Sequence, residues 1–317
     1  MAIQKTLLIG NGLNRTAELK DNSLSWEEIL KKLAKNAKVS IKNIDKKPLT
    51  LVFDEIILKS KNTSNSTKNH LQNLIVELTM SYRNPRLDSI FYCLTKNILT
   101  TNYSMCHILD FDRVDAPFLS KNVPLENTFS IFRHYELPRN GRKLWYINGN
   151  SFRSTSITLG HLQYARYLSQ INKYLTTGLT YSKEKLLRTP LSSNKLDFDF
   201  DKNSTIYSWV DIFLRDDIHI VGLTMDYTES ILWWLLTEKL YLRKKHPKNI
   251  GNVTYYQINI HNNKISDEET NKLNMLSDLG VIVKNIETDS YLNGYLDIAT
   301  MFDKRSKDRY LNYKPLF

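Results

Sequence analysis

Gly10-Asn11-Gly12-Leu13-Asn14-Arg15 directly follows the short apolar run Thr6-Leu7-Leu8-Ile9. Two glycines after a strand allow a tight turn and close approach of backbone to a pyrophosphate. Arg15 adds a fixed positive charge suited to phosphate. Arg15 also holds the place of the third glycine in the G-x-G-x-x-G fingerprint, so a plain strand-to-helix turn explains this segment equally well. Thr100-Thr101-Asn102 places a side-chain amide where a second apolar run stops. An amide can donate to and accept from a water or a ribose hydroxyl, and asparagine is equally at home in an ordinary turn. Asn148-Gly149, Gly222-Leu223-Thr224 with Asp226, and Ile258-Asn259 stand at the ends of three further runs. His107, His134 and His161 are the histidines nearest these segments, and each also reads as a surface or locally bonded residue. His134 and His161 lie in stretches that, as loops, could fold over a site and supply a base near neutral pH.

Six short apolar runs read as strands: 6–9, 98–101, 144–147, 218–221, 253–260 and 281–283. Between them, apolar spacing predicts helices. One starts at Trp26, with Ser25 and Glu28 forming a capping box, and others cover 49–58, 71–82, 161–175, 230–243 and 291–302. The polar runs 60–69 and 183–204 read as a loop and as a linker or mobile insertion. Strands alternating with helices predict an α/β sheet of parallel character. Ligands bind beyond the carboxyl ends of such strands, so the glycine turns, Asn102 and Asn148 should converge on one crevice. The helix around Trp233-Trp234, apolar all round with Ile231, Leu232, Leu235 and Leu236, should be buried in the core or by a partner.

The 317 residues carry 44 Lys and Arg against 33 Asp and Glu, a net charge of +11. That excess attracts phosphates, but much of it lies beside asparagine in 31–47 and 59–68, as on a solvated surface. Charge alone argues for solubility and non-specific attraction, not for a nucleic-acid partner. Cys93 and Cys106 cannot make a four-ligand zinc site, and no metal is expected. Two cysteines also suit a reducing cytosol. No secretory signal is expected at Met1–Lys5, and no run reaches the roughly 18 apolar residues of a membrane span.

In this order the motifs change the reading. A glycine loop, T-x-N, a pair ending in glycine, glycine plus Thr, and Ile-Asn together resemble the sirtuin-like family, over roughly residues 6 to 260. The chain is most similar to its zinc-less bacterial members of anti-phage defence, through Ser25-Trp26-Glu27-Glu28 and the stretch from Asp226 to Trp234 as well. The resemblance implies one Rossmann-like domain over 1–317. Its mostly parallel sheet would carry helices on both faces, a helical insertion at about 20–90 and a variable insertion at about 165–208. It implies a cytoplasmic NAD hydrolase releasing nicotinamide and ADP-ribose, with NAD as substrate or ligand. Control would come from self-assembly or a defence partner, because free NAD destruction is toxic. Gly10, Asn11, Gly12 and Arg15 would hold the pyrophosphate, and Leu13, Asn14 and Gly149 would also belong to the NAD site. Thr101 and Asn102 would orient the nicotinamide-side ribose or a water. Thr224, beside Gly222 and Asp226, would meet phosphate or ribose, and Asn259 the adenine-side ribose. Where the family has a catalytic His-Gly, this chain has Asn148-Gly149. A neutral amide cannot take a proton from a ribose hydroxyl, help worth about 100- to 10,000-fold. The same resemblance therefore also implies an alternative, an impaired NAD or ADP-ribose sensor.

Overall fold

A computed structural model describes residues 3–16, 25–61, 65–80, 84–104, 118–119, 129–137, 141–151, 153–181, 185–187, 189, 208–261 and 265–313. Its strands begin with β1 (Lys5–Ile9), where Leu7, Leu8 and Ile9 are fully buried, and β2 (Asn97–Thr100), where Ile98 and Leu99 are. Strands apolar on both faces are what a parallel sheet covered on two sides requires. Next come the short strands β3 (Phe118–Leu119) and β4 (His134–Leu137), then β5 (Arg142–Tyr146) and the pair β6 (Leu179–Tyr181) and β7 (Lys185–Leu187). The series closes with β8 (Asp217–Val221), β9 (Val253–Ile260) and β10 (Ile282–Thr288).

Eight of these form one sheet in the order β10-β9-β8-β1-β2-β5-β4-β3. All pairings from β10 to β5 are parallel, while β4 and β3 extend the β5 edge antiparallel. From β1 the parallel strands run outward through β2 and β5. The chain then returns to β8 on the other side of β1 and runs outward again. This is the strand order of the doubly wound Rossmann-like fold, and it reverses between β1 and β8. All six strands expected from apolar runs are the parallel ones. The antiparallel edge and the β6–β7 hairpin are additions.

Helices cover both faces. α1 (Trp26–Asn36), α2 (Leu49–Lys59) and α3 (Asn65–Met80) precede α4 (Pro85–Phe91). α5 (His161–Thr176), α6 (Trp209–Arg215), α7 (Ser230–Lys245) and α8 (Asp267–Asp278) follow, then α9 (Tyr291–Phe302) and α10 (Ser306–Leu311). Leu8, Leu99, Trp145, Ile218 and Ile220 face the core made with α5 to α8. Leu7, Ile9, Ile98, Leu144 and Val221 face the one made with α4, α9 and α10. The period of two along each strand thus divides the core into two layers.

Helices α1 to α3 form a third packed unit. Its Leu30, Val52, Phe53, Ile56 and Leu71 close on Tyr103, Ile157 and Leu159. Full burial of such side chains stabilises by about 1.5–3 kcal/mol each. Polar ties fix the unit over the carboxyl ends of β2 and β5. Gln72 Nε2 donates to Ile157 O (2.8 Å), and the Leu162 N–H donates to Asp54 Oδ2 (3.1 Å). The capping box is present. The Glu28 N–H donates to Ser25 Oγ (3.2 Å) and the Ser25 N–H to Glu28 Oε2 (2.9 Å).

Three expectations need correction. The polar run 60–69 is not all loop, because α3 begins at Asn65. His134 does not lie in a loop over a site but in β4, paired with Trp145. α7, though apolar all round at this end, is fully buried on one side only. Ile231, Leu232, Leu235 and Leu236 are buried, whereas Trp233 and Trp234 are only partly so. Trp233 stacks on exposed Tyr227 at 5.9 Å and donates Nε1–H to Asp226 O (3.0 Å). Most of 183–204, Cys106 and His107 lie outside the described residues. Among the described residues, no helix is long and apolar enough to cross a membrane.

Candidate functional site

The turns leaving β1 and β8 meet where the strand order reverses. The Gly10 N–H donates to Val221 O (2.9 Å) and the Gly12 N–H to Gly222 O (2.7 Å). A Cβ on Gly10 would lie 2.4 Å from Gly222 O, and one on Gly12 2.3 Å from Tyr295 Oη. These glycines therefore let two turns interlock, and their N–H groups are already spent on the end of β8 and the turn that follows it. Gly222 itself has φ +65°, which glycine adopts without a Cβ penalty. Leu13 is fully buried, and Asn14 donates Nδ2–H to Asn11 Oδ1 (3.1 Å). Arg15, at the exposed end of a 3-10 turn over Asn11–Thr16, keeps its charge toward solvent.

Two adjoining clefts open beyond these turns. The outer one, about 660 Å³, lies beyond β8 and β9 and is lined by Tyr255, Tyr256, Asn259, Ser266, Tyr291 and Tyr295 among others. The inner one, about 370 Å³, reaches under the helical unit past Trp26, Thr101, Tyr103, Asn148, Tyr164 and Glu229. Gly12, Arg15, Gly222, Leu223 and Thr224 line both. Each volume suits part of an extended small molecule, since ligand sites run from about 300 to 1,000 Å³.

The predicted residues divide. Asn11, Gly12, Arg15, Thr101, Asn148, Gly222, Thr224 and Asp226 line the inner cleft, and Asn259 lines the outer one. Asn148 is 4% exposed and donates Nδ2–H to Tyr164 Oη (3.2 Å), so its amide is held in the cleft wall. Asn259 donates Nδ2–H to Glu287 Oε1 (2.7 Å), leaving its buried Oδ1 with no partner among the described residues. Asn102 stands one layer back. Its Nδ2–H holds Gly10 O (3.1 Å), and the Tyr92 hydroxyl bonds to it from behind. It borders a pit of about 20 Å³ beside Asn11 and Asn14, room for about one water, and lines neither of the two clefts. Gly10 lines neither cleft. Gly149, at φ +99°, is packed against Ser156 O and serves the turn instead.

Both candidate histidines are elsewhere. The His134 ring stacks on Trp145 at 4.1 Å, bonds Phe132 O through Nδ1 (2.9 Å), and has its pKa lowered by burial. His161 is the exposed first residue of α5. Neither lines a cleft.

One residue was missed by sequence reading. Glu229 lies half-buried in the inner cleft, and burial, reinforced by the Asp226 charge, pushes its carboxyl up to about 7. It belongs to a fixed loop. Met225 is buried at φ +50°, a left-handed conformation rare for a side chain of its kind. Asp226 Oδ1 accepts from the Thr228 N–H (2.8 Å), and the Glu229 N–H donates to Asp226 O (2.9 Å). Nothing local marks this glutamate in the sequence. Only the return of β8 beside β1 brings it to the site.

The inner cleft thus combines hydroxyls and amides that can hold a ribose, one carboxyl that titrates near neutrality, and a rim cation. Compared with protein-family models the chain matches none, and no curated protein matches it.

Proposed function

We propose that this chain binds NAD, or a closely related dinucleotide, across the two clefts and hydrolyses the nicotinamide–ribose bond. The observation that carries the reading is the shared rim. Two compartments of mononucleotide scale meet at Arg15 and Thr224, where the strand order reverses. In open α/β sheets that point is where nucleotides bind.

With the Gly10 and Gly12 N–H groups committed to Val221 O and Gly222 O, the diphosphate falls to side chains, Arg15 and Thr224. The outer cleft supplies tyrosine faces for adenine, with Asn259 on its wall beside the adenine-side ribose. The inner cleft supplies Thr101, Asn148 and Tyr164 for the second ribose. Nicotinamide is a good leaving group, so the work lies in holding the ribose and stabilising positive charge at its anomeric carbon. The sirtuin-like resemblance supports the same substrate, and a role in defence with activity gated by assembly or a partner is part of this reading.

The test is nicotinamide release from NAD by the purified protein, alone and with proteins encoded beside its gene. Release that Arg15→Ala weakens supports the reading, and no release under any of these conditions rejects hydrolysis.

One observation favours a second reading, a non-hydrolysing sensor of NAD or ADP-ribose. Asn148 stands at the family's histidine position and its amide bonds Tyr164, so it accepts no proton. Calorimetry separates the two: tight binding without turnover supports the sensor.

A further inference from the structure

The inner cleft needs a group that can take a proton, and most of its wall cannot. Asn148 is a neutral amide already bonded to Tyr164. The Tyr103 and Tyr164 phenols are held protonated by burial. Glu229 differs from all of these. It precedes α7 as the N-cap residue, a position where an acidic side chain commonly bonds its own helix, yet it makes no such bond. Its carboxylate has no hydrogen bond or ion pair among the described residues. Its backbone is well anchored, accepting from the Leu232 N–H (2.9 Å) and the Trp233 N–H (3.1 Å). A fixed backbone and an idle carboxylate on a cleft wall make a poor cap and a good base.

We propose that Glu229 is the general base of the hydrolysis, doing from the β8–α7 loop what Asn148 cannot do from the end of β5. This rests on the dinucleotide reading above. In the step, the bond between C1′ of the ribose and N1 of nicotinamide breaks, and its electron pair stays on N1, so nicotinamide leaves neutral. A water oxygen bonds to C1′ and gives its proton to the Glu229 carboxylate, which passes it to solvent. NAD and water become nicotinamide, ADP-ribose and a proton.

The other charged groups lining this cleft are Asp226 on the same loop, Glu27 on α1, Asp45 and Lys47 before α2, and Arg15 on the rim. Asp226 opposes ionisation of Glu229, and burial does so more strongly. The carboxyl is therefore about half ionised near pH 7, the balance that suits a general base.

The experiment compares wild type, Glu229→Gln and Glu229→Asp, with NAD affinity from calorimetry and nicotinamide release measured from pH 5.5 to 8.5, a span of about 1.5 units on either side of neutrality. The expected wild-type rate rises through an apparent pKa near 7. Glu229→Gln should keep its NAD affinity within about threefold, lose about 100-fold or more in rate, and lose the pH dependence. Glu229→Asp, which keeps the carboxylate, should retain more rate than Glu229→Gln. A Glu229→Gln rate within about threefold of wild type overturns the assignment. So does a wild type that binds NAD and releases nothing, which leaves the dinucleotide cleft standing. A wild type that binds neither NAD nor ADP-ribose overturns both.

Discussion

Glu229→Gln should make the folded protein more stable at alkaline pH and leave it unchanged at acid pH. In the unfolded chain this carboxyl ionises near its ordinary value of 4.5, and in the cleft burial and Asp226 raise it to about 7. Between those values the folded state binds more protons than the unfolded state, so stability falls as pH rises. The contribution is fully present below pH 4.5 and gone above about 7. At about 1.4 kcal/mol for each tenfold change, the whole gap is worth about 3 kcal/mol, and solvent at the cleft mouth reduces that to about 1–3 kcal/mol. Glutamine has nearly the same shape and no charge to desolvate. Unfolding entropy of about 2 cal/mol/K per residue gives about 0.7 kcal/mol/K for this chain, so the variant should melt about 2–4 °C higher at pH 8. Thermal unfolding followed by circular dichroism at pH 5 and pH 8 checks this. Equal melting temperatures at both pH values would show that the carboxylate is ordinarily solvated, and the argument for its basicity would fail with it.

Other consequences are equally open to measurement. Gly10→Ala sets a Cβ against Gly222 O and the Leu223 backbone, neither of which can rotate away. Overpacking of this kind costs about 1–3 kcal/mol, a melting drop of about 2–4 °C, and an unchanged melt would refute the interlocked turns. Lys239 is buried and donates to Phe213 O (2.8 Å), Leu214 O (3.3 Å) and Asp216 O (2.5 Å), closing the end of α6. Lys239→Met strands these carbonyls and should cost about 1–3 kcal/mol in urea unfolding, whereas an unshifted midpoint would count against that cap. Asn259→Ala removes a polar residue from the wall of the outer cleft. Loss of one hydrogen bond worth about 0.5–1.5 kcal/mol should weaken NAD binding about 2- to 12-fold by calorimetry, and an unchanged Kd would remove Asn259 from the site.

Much of the sheet could be read from the chain because its parallel strands are buried on both faces. Runs such as Leu7-Leu8-Ile9 and Ile218-His219-Ile220-Val221 announce themselves and stop at the ligand-facing end. The antiparallel edge gave less signal. β4 has four residues and is held by partners distant in sequence, including the stack of His134 on Trp145. α6 was silent for a different reason: all seven of its residues are buried, so it has no polar face to set a period. α8 had a start signal, Ser266 with Glu269 three residues on, but few apolar positions to support it.

The site was legible to the extent that it sits on strand ends. Thr101, Asn148, Gly222 and Thr224 do share a cleft. What spacing could not convey was which groups are already occupied. Asn102 spends its amide nitrogen on Gly10 O, and the two glycine N–H groups are taken by Val221 O and Gly222 O. Glu229 was invisible because a lone glutamate before a helix reads as an ordinary exposed residue.

The most direct test is a crystal structure of the protein soaked with NAD. The account predicts one extended dinucleotide, with adenosine against Asn259, diphosphate at Arg15 and Thr224, and the second ribose between Asn148 and Glu229. NAD bound elsewhere on the molecule, or lying in only one cleft with its diphosphate away from Arg15, would contradict it.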